Sequence, residues 1–204
     1  MKKSIIILTI LFLIYTIIVN LCPEITQWDK DLIIYTQNTL KNIPIEIPRF
    51  ISEQMYLVMI IIPIITGVIY FFRKYLLIDI VLLCSTPFTS YGFNYIFKKI
   101  INRPRPPMEL QFGHHSNSQS YVSNHTLITF CLWGLTAYYI NLYCKNKILK
   151  LCGIFISIFW VLIEGFSRIW LGVHNPTDVI GGYFLGTIFV LIYIELANVV
   201  GGKN

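Results

Sequence analysis

The stretch Phe166–Asp178, FSRIWLGVHNPTD, is a short polar break between two long apolar runs. Within it, Arg168, His174 and Asp178 are the groups that can do chemistry. His174 and Asp178 are four residues apart, so at the start of a helix they share one face. A carboxylate there holds one imidazole nitrogen and leaves the other free to attack. Arg168 adds a permanent cation whose planar fork of donors suits a phosphate. A second polar island, Lys98–His125, has the same character. The two are expected to meet at one membrane surface and form a phosphate-transfer site.

The flanking runs set the fold class. Of 204 residues, 55% are hydrophobic, 15% aromatic and only 13% charged, more apolar than a soluble domain of this size requires. The chain is therefore expected to cross a membrane several times. Six spans are predicted at Ser4–Leu21, Gln54–Phe72, Leu76–Phe97, His125–Tyr143, Leu151–Ile169 and Asp178–Val199, each near the ~20 residues a crossing helix needs. The expected fold is all-α, a polytopic membrane protein with residues 1–204 forming one membrane-embedded domain. The basic start and apolar run of residues 1–22 resemble a signal peptide, but no small-residue cleavage site follows, so an uncleaved first helix is expected. Pro63 and Pro87 fall inside spans, where neighbouring helices must cover the freed carbonyls.

With six alternating helices, Lys2 and Lys3, Arg73 and Lys74, and Lys145, Lys147 and Lys150 share one side. The positive-inside rule makes that side cytoplasmic and places both termini there. The loop after the third span then puts Lys98, Lys99, Arg103 and Arg105 on the face where positive charge is disfavoured, and an anionic ligand would explain them. All four histidines, His114, His115, His125 and His174, map to that same outer face. The net charge of +6 does not point to nucleic acid, because the basic residues are scattered in pairs with no stripe. The five cysteines are odd in number and lack CxxC spacing, which argues against a disulfide framework or a metal site.

Residues 23–53 read as an extracytoplasmic connector, in which Trp28–Leu40 has the pattern of a short interfacial helix that Pro44 and Pro48 then break. Asp79 and Glu195 read as solvated boundary residues, and His114 and His115 as a solvated loop. Glu164, one turn before Arg168, is positioned to pair with it, either to orient the guanidinium or as a structural ion pair.

In the first island, Lys98 and Arg105 are joined by a segment that Pro104, Pro106 and Pro107 stiffen, so two cations are held on a rigid backbone. Alone, Lys98 and Lys99 read better as side chains snorkelling to headgroups than as a phosphate clamp. Ser123 is placed as an N-cap, which leaves the amides of Asn124 and His125 at the positive end of a long helix, a ready anion site. His125 there could protonate a leaving oxygen.

Together these elements resemble the type 2 phosphatidic acid phosphatase family, whose pattern is K-x6-R-P, then P-S-G-H, then S-R-x5-H-x3-D. The first element matches at Lys98, Arg105 and Pro106, and the third at Ser167, Arg168, His174 and Asp178. The middle one keeps Ser123 and His125 but has Val122 for proline and Asn124 for glycine. The resemblance covers about the last half of the chain and implies a membrane-integrated lipid phosphatase working through a phosphohistidine. It makes His174 the nucleophile, Asp178 its orienting carboxylate and His125 the general acid. It assigns Lys98, Arg105, Ser123, Asn124 and Arg168 to the phosphoryl oxygens. It implies no metal or other cofactor, a lipid phosphate in the bilayer as substrate and no obligate protein partner. The corresponding location is a bacterial cytoplasmic (inner) membrane with the site on the periplasmic face. Undecaprenyl diphosphate, phosphatidic acid, phosphatidylglycerophosphate and lipid A phosphates are all open as substrates. A lipid-to-lipid phosphotransferase or a non-catalytic lipid-phosphate binder would share the same residues.

Overall fold

The computed structural model describes residues 1–54, 57, 61–62, 77–112 and 118–200. Its long elements are all helices: α1 (Lys2–Leu21), α2 (Pro23–Thr39), α3 (Leu77–Ile101), α4 (Asn124–Tyr143), α5 (Lys147–Trp170) and α6 (Pro176–Val200). Residues 46–54 are also helical, and Met108–Leu110 form one 3-10 turn. Three of the helices, α1, α5 and α6, are long and apolar enough to cross a membrane. Helices α3 and α4 have crossing length, 25 and 20 residues, but carry more polar side chains. The expected second span, Gln54–Phe72, lies almost wholly outside the described residues, as does Pro63.

Helix ends follow from local chemistry. Ser123 caps α4 by accepting the amide of Thr126, and Asn146 caps α5 by accepting those of Ile148 and Leu149. Asn146 draws the start of α5 four residues ahead of the expected Leu151. Helix α3 runs past the apolar run to Ile101 and ends at Asn102, whose left-handed φ of 51° stops it.

Helix α4 is the centre of the bundle, packed against α3, α5 and α6. Leu127, Cys131, Leu132 and Leu135 are wholly buried along it. Helix α1 lies on α6, with Phe12 packed edge-on against Phe184 and tilted against Phe97. The outer faces of α1 and α5 are apolar and exposed, including Ile6, Ile10, Ile17, Phe155, Phe159 and Leu162. A water-soluble surface rarely carries so continuous an apolar band, and lipid is the solvent it suits. Lipid tails are as apolar as leucine, so close packing and interhelical hydrogen bonds hold such helices together. The Thr16 hydroxyl meets Tyr121 at 2.9 Å, and the Tyr183 hydroxyl donates to the Val161 carbonyl at 3.1 Å. Packing is close where α6 meets the start of α4: a Cβ on Gly182 would stand 3.0 Å from the Thr126 Cβ.

Two boundary expectations change. Asp79 is buried and accepts a hydrogen bond from the Tyr143 hydroxyl, so it ties α3 to α4 instead of facing solvent. Residues 23–53 are more ordered than a connector. Pro23 opens α2 five residues ahead of the expected Trp28, at the first-turn position where a missing N–H costs nothing. Pro48 sits in the first turn of the next helical stretch and does not break it. Trp28 and Tyr35 stay exposed on α2, as suits a helix lying in a membrane interface, while Asp29, Ile33 and Thr36 are buried on its other face.

Candidate functional site

On α3, Thr86, Ser90, Asn94 and Lys98 recur every four residues, and all are buried, so one polar stripe runs along the helix to Lys98. Lys98 Nζ donates to the carbonyls of Gln119 and Ser120, at 2.7 and 2.9 Å. After Asn102 the chain turns into the proline-stiffened loop, and Ser120 N closes it by donating to Arg103 O at 2.8 Å. Arg105 is fixed within this loop by bonds to Ser118 O, Ser118 Oγ and Val173 O. Lys99 stays on the surface over the Tyr95 ring, 4.3 Å from its centroid, as snorkelling predicts.

The loop that carries His174 is shaped by Gly172. Its φ is +65°, and a Cβ there would stand 1.9 Å from the Leu110 carbonyl oxygen, so glycine alone fits without rearrangement. His174 follows, 2% exposed. Its Nδ1 stands 3.5 Å from Asp178 Oδ2 and 3.5 Å from Ser120 Oγ, while Nε2 lies 3.5 Å from Arg105 Nη1. Asp178 Oδ2 also accepts from the Ser120 hydroxyl and from Asn175 N. Asp178 Oδ1 accepts from Arg103 Nη1 at 2.6 Å. One imidazole nitrogen thus faces a fully engaged carboxylate, and the other faces a guanidinium. Burial drives the His174 imidazole well below its ordinary range; the hydrogen bond to Asp178 opposes this, and Lys98 and Arg105 add to the depression. The ring is therefore neutral at pH 7, with a lone pair available.

The expected site residues come together. Lys98, Arg105, His125, Arg168 and His174 are close enough to act electrostatically on one another. Lys98 and His174 are buried at the base, and Arg105, Asn124, His125 and Arg168 are partly exposed around them. Arg168 Nη1 donates to Ser52 Oγ. The expected Glu164–Arg168 ion pair is not formed: Glu164 is fully buried and both of its carboxylate oxygens lack a hydrogen-bond partner. Ser123 is fully buried and occupied as the cap of α4, its Oγ accepting from the Thr126 hydroxyl at 3.0 Å. The Asn124 side-chain carbonyl accepts from Asn94 Nδ2. His114 and His115 lie outside the described residues. Among the described residues, no three His, Cys, Asp or Glu groups cluster as metal donors.

The family model of the PAP2 superfamily matches residues 79–200, more than half of the chain. The chain belongs to the PAP2 superfamily. Among its curated relatives, phosphatidylglycerophosphatase B of Bacillus subtilis is 33% identical over 106 residues, which are 51% of this chain and 51% of that protein. Lipid phosphate phosphatase delta of Arabidopsis thaliana is 26% identical over 119 residues, 53% of this chain and 28% of that protein. A probable sphingosine-1-phosphate phosphatase of Dictyostelium discoideum is 30% identical over 119 residues, 53% of this chain and 29% of that one. The chain is thus matched to about half the length of the first relative and under a third of the other two. In structure it resembles the crystal structure of a transmembrane PAP2-type phosphatidylglycerolphosphate phosphatase from Bacillus subtilis. The TM-score is 0.82, with 95% of this chain and 96% of that one covered at 23% identity, a likeness of fold.

Beside the PAP2 pattern the structure brings in residues that the sequence reading left out. Arg103, expected to await an anionic ligand, is instead paired on both sides, with Asp178 and with Asp29 of α2 at 2.8 Å. Asp29 also accepts from Thr177 N and from the Thr177 hydroxyl. Ser120 is the second omission. A signal for Asp29 does exist: it occupies a slot of the buried stripe that continues at Ile33 and Thr36, a costly position for an acid without a partner.

Proposed function

We propose that this PAP2 chain is a membrane lipid phosphatase that hydrolyses a phosphate or diphosphate monoester by way of a phosphohistidine. The observation that carries this reading is the orientation of His174, with Nδ1 turned to Asp178 and Nε2 turned to Arg105. Nε2 attacks phosphorus in line and forms the N–P bond as the P–O bond to the lipid breaks. His125 gives its proton to the departing lipid oxygen. Lys98, Arg105, Arg168 and the Asn124 amide at the start of α4 take up the negative charge on the phosphoryl oxygens. Ser123 contributes by holding that helix start in place. Asp178 keeps the imidazole oriented and stabilises the cationic phosphoimidazole. Water, with its proton passing to His125, then attacks phosphorus and releases inorganic phosphate.

The chain in this reading crosses the membrane six times with both ends cytoplasmic, and the site opens at the extracytoplasmic face of a bacterial cytoplasmic membrane. The phosphatase names of all three relatives support the reaction class, and they share a lipid phosphate as the implied substrate. A headgroup at the membrane surface meets the cationic rim while its tail stays in lipid. No metal is required by this chemistry, since cationic side chains hold the developing charge.

The test is phosphate release by purified protein in detergent, with chelator present, across phosphatidylglycerophosphate, phosphatidic acid, undecaprenyl diphosphate and lipid A. Wild type should release phosphate and yield an acid-labile, base-stable phosphoenzyme, and His174→Ala should do neither. Turnover that demands added magnesium, or that survives His174→Ala, refutes the mechanism. Labelled phosphate passed between lipids with little free phosphate would identify a transferase instead.

A further inference from the structure

Asp178 does not stand alone beside His174. Its Oδ1 is bound by Arg103 at 2.6 Å, and the other terminal nitrogen of Arg103 is bound by Asp29 at 2.8 Å. All three side chains are nearly or fully buried: Arg103 is 6% exposed and both carboxylates 0%. Thr177 bridges the cluster, since its hydroxyl accepts from Arg103 and donates to Asp29. These residues come from α2, the proline-stiffened loop and the first turn of α6.

A buried guanidinium against one oxygen of a carboxylate draws that charge away from whatever faces the other oxygen. Unopposed, Arg103 would weaken the hold of Asp178 on a cationic His174. Asp29 supplies the opposing charge. The sum over Asp29, Arg103 and Asp178 is then one negative charge, the same as for an isolated carboxylate, while Oδ1 is anchored and Oδ2 is left to the imidazole.

We propose that Asp29 and Arg103 are positioning residues of the phosphoryl-transfer site: Arg103 aligns Asp178, and Asp29 of the interfacial helix cancels the charge that this alignment introduces. Helix α2 is thereby a working part of the site. This inference rests on the phosphohistidine reading above.

The charge sum gives opposite consequences to different substitutions. The groups facing His174 are Lys98 from α3, Arg105 and Ser120 from the loop, Asp178 from α6 and His125 from α4. None of these changes when Asp29 does. Asp29→Asn leaves Arg103 unopposed, so the cluster becomes neutral, cationic His174 is disfavoured and the acid limb of kcat moves to lower pH. The double substitution Asp29→Asn with Arg103→Met restores a sum of one negative charge and returns the limb towards its wild-type position. Arg103→Lys keeps the charge but loses the fork, so it leaves the limb in place and lowers kcat. Removing the charge of a carboxylate that orients a catalytic imidazole can cost ~10⁴-fold in kcat. Asp29 acts one group further away, so the loss expected in Asp29→Asn is smaller than this, with KM little changed.

The experiment measures kcat, KM and their pH profiles for wild type and the three variants, each normalised to active sites counted by binding of vanadate, a mimic of pentacoordinate phosphorus. The pH dependence of vanadate affinity reads the ionisation of His174 without turnover. A downward limb in Asp29→Asn that the double variant reverses supports the inference. An unchanged limb, or a loss of activity wholly explained by fewer vanadate sites, overturns it and assigns the pair to folding alone. Should Asp29→Asn not fold, Arg103→Lys decides: normal kcat per site overturns the inference. Wild type and His174→Ala serve as references, and equal activity in those two overturns the phosphohistidine reading first, and the inference with it.

Discussion

Asn94 on α3 donates its side-chain amide to the side-chain carbonyl of Asn124, the residue that stands where the PAP2 pattern has glycine. The same amide donates to the Val122 carbonyl at 3.0 Å. The side chain that replaces glycine is thus drawn back onto α3. Asn124→Gly is expected to keep phosphate release, because Asn94 retains its bond to Val122, and to change the ranking of headgroups in a lipid panel. Asn94→Leu removes the donor from both carbonyls, at a cost of ~1–3 kcal/mol for the buried one at Val122. It should lower the thermal midpoint in detergent, and an unaltered midpoint would show that the contact holds nothing.

In the proposed mechanism His174 must be neutral to attack, and burial together with Lys98 and Arg105 holds it below the ordinary imidazole range. On acidification it stays neutral until the pH falls beneath that range, so the acid limb of kcat/KM should lie under ~6.5. Lys98→Met takes away one repelling cation, which lets the ring protonate sooner and moves the limb upward. A limb at or above the ordinary imidazole value in wild type would contradict the placement of His174.

Gly182 lets α6 approach the start of α4 so closely that a side chain has no room between them. A Cβ there would stand 3.0 Å from the Thr126 Cβ and 3.3 Å from Ser123 O. Gly182→Val should push α4 aside and carry His125 with it. A displacement near 1 Å costs ~100-fold in rate. Gly92, around which nothing lies within 4 Å, provides the contrast, and Gly92→Ala should leave kcat unchanged. Equal effects from the two substitutions would remove the packing argument.

Gly172→Ala confronts both a left-handed backbone and the Leu110 carbonyl. The backbone alone carries ~1–2 kcal/mol, and the clash adds to it. Loss of thermal stability together with loss of activity is expected, because the same turn leads directly into His174. An active, stable Gly172→Ala would mean that the loop has room to relax.

Much of this architecture could be read from residue order. Apolar runs long enough to cross lipid gave α1, α3, α4, α5 and α6 with ends a few residues short, because caps such as Ser123 and Asn146 lie outside the apolar part. The proposed site residues stood out because each sits where an apolar run stops, and a polar group at such a place needs a reason. Asp29 and Arg103 were not legible as partners. They are separated by 74 residues, and each has an ordinary local explanation, an acid on an amphipathic helix and a cation at a membrane surface. Ser120 hides for a related cause: a loop serine reveals its use only when the loop closes over His174.

The Asp29–Arg103–Asp178 cluster also bears on how the molecule is made. Asp29 leaves the ribosome 74 residues ahead of Arg103, and Asp178 emerges 75 residues behind it. Arg103 can therefore be neutralised by a partner already synthesised, while the final helix is still awaiting insertion. On the phosphohistidine reading, competence waits for Asp178 in the first turn of α6, so a nascent chain displays its cations to anionic lipids before it owns the carboxylate that orients His174.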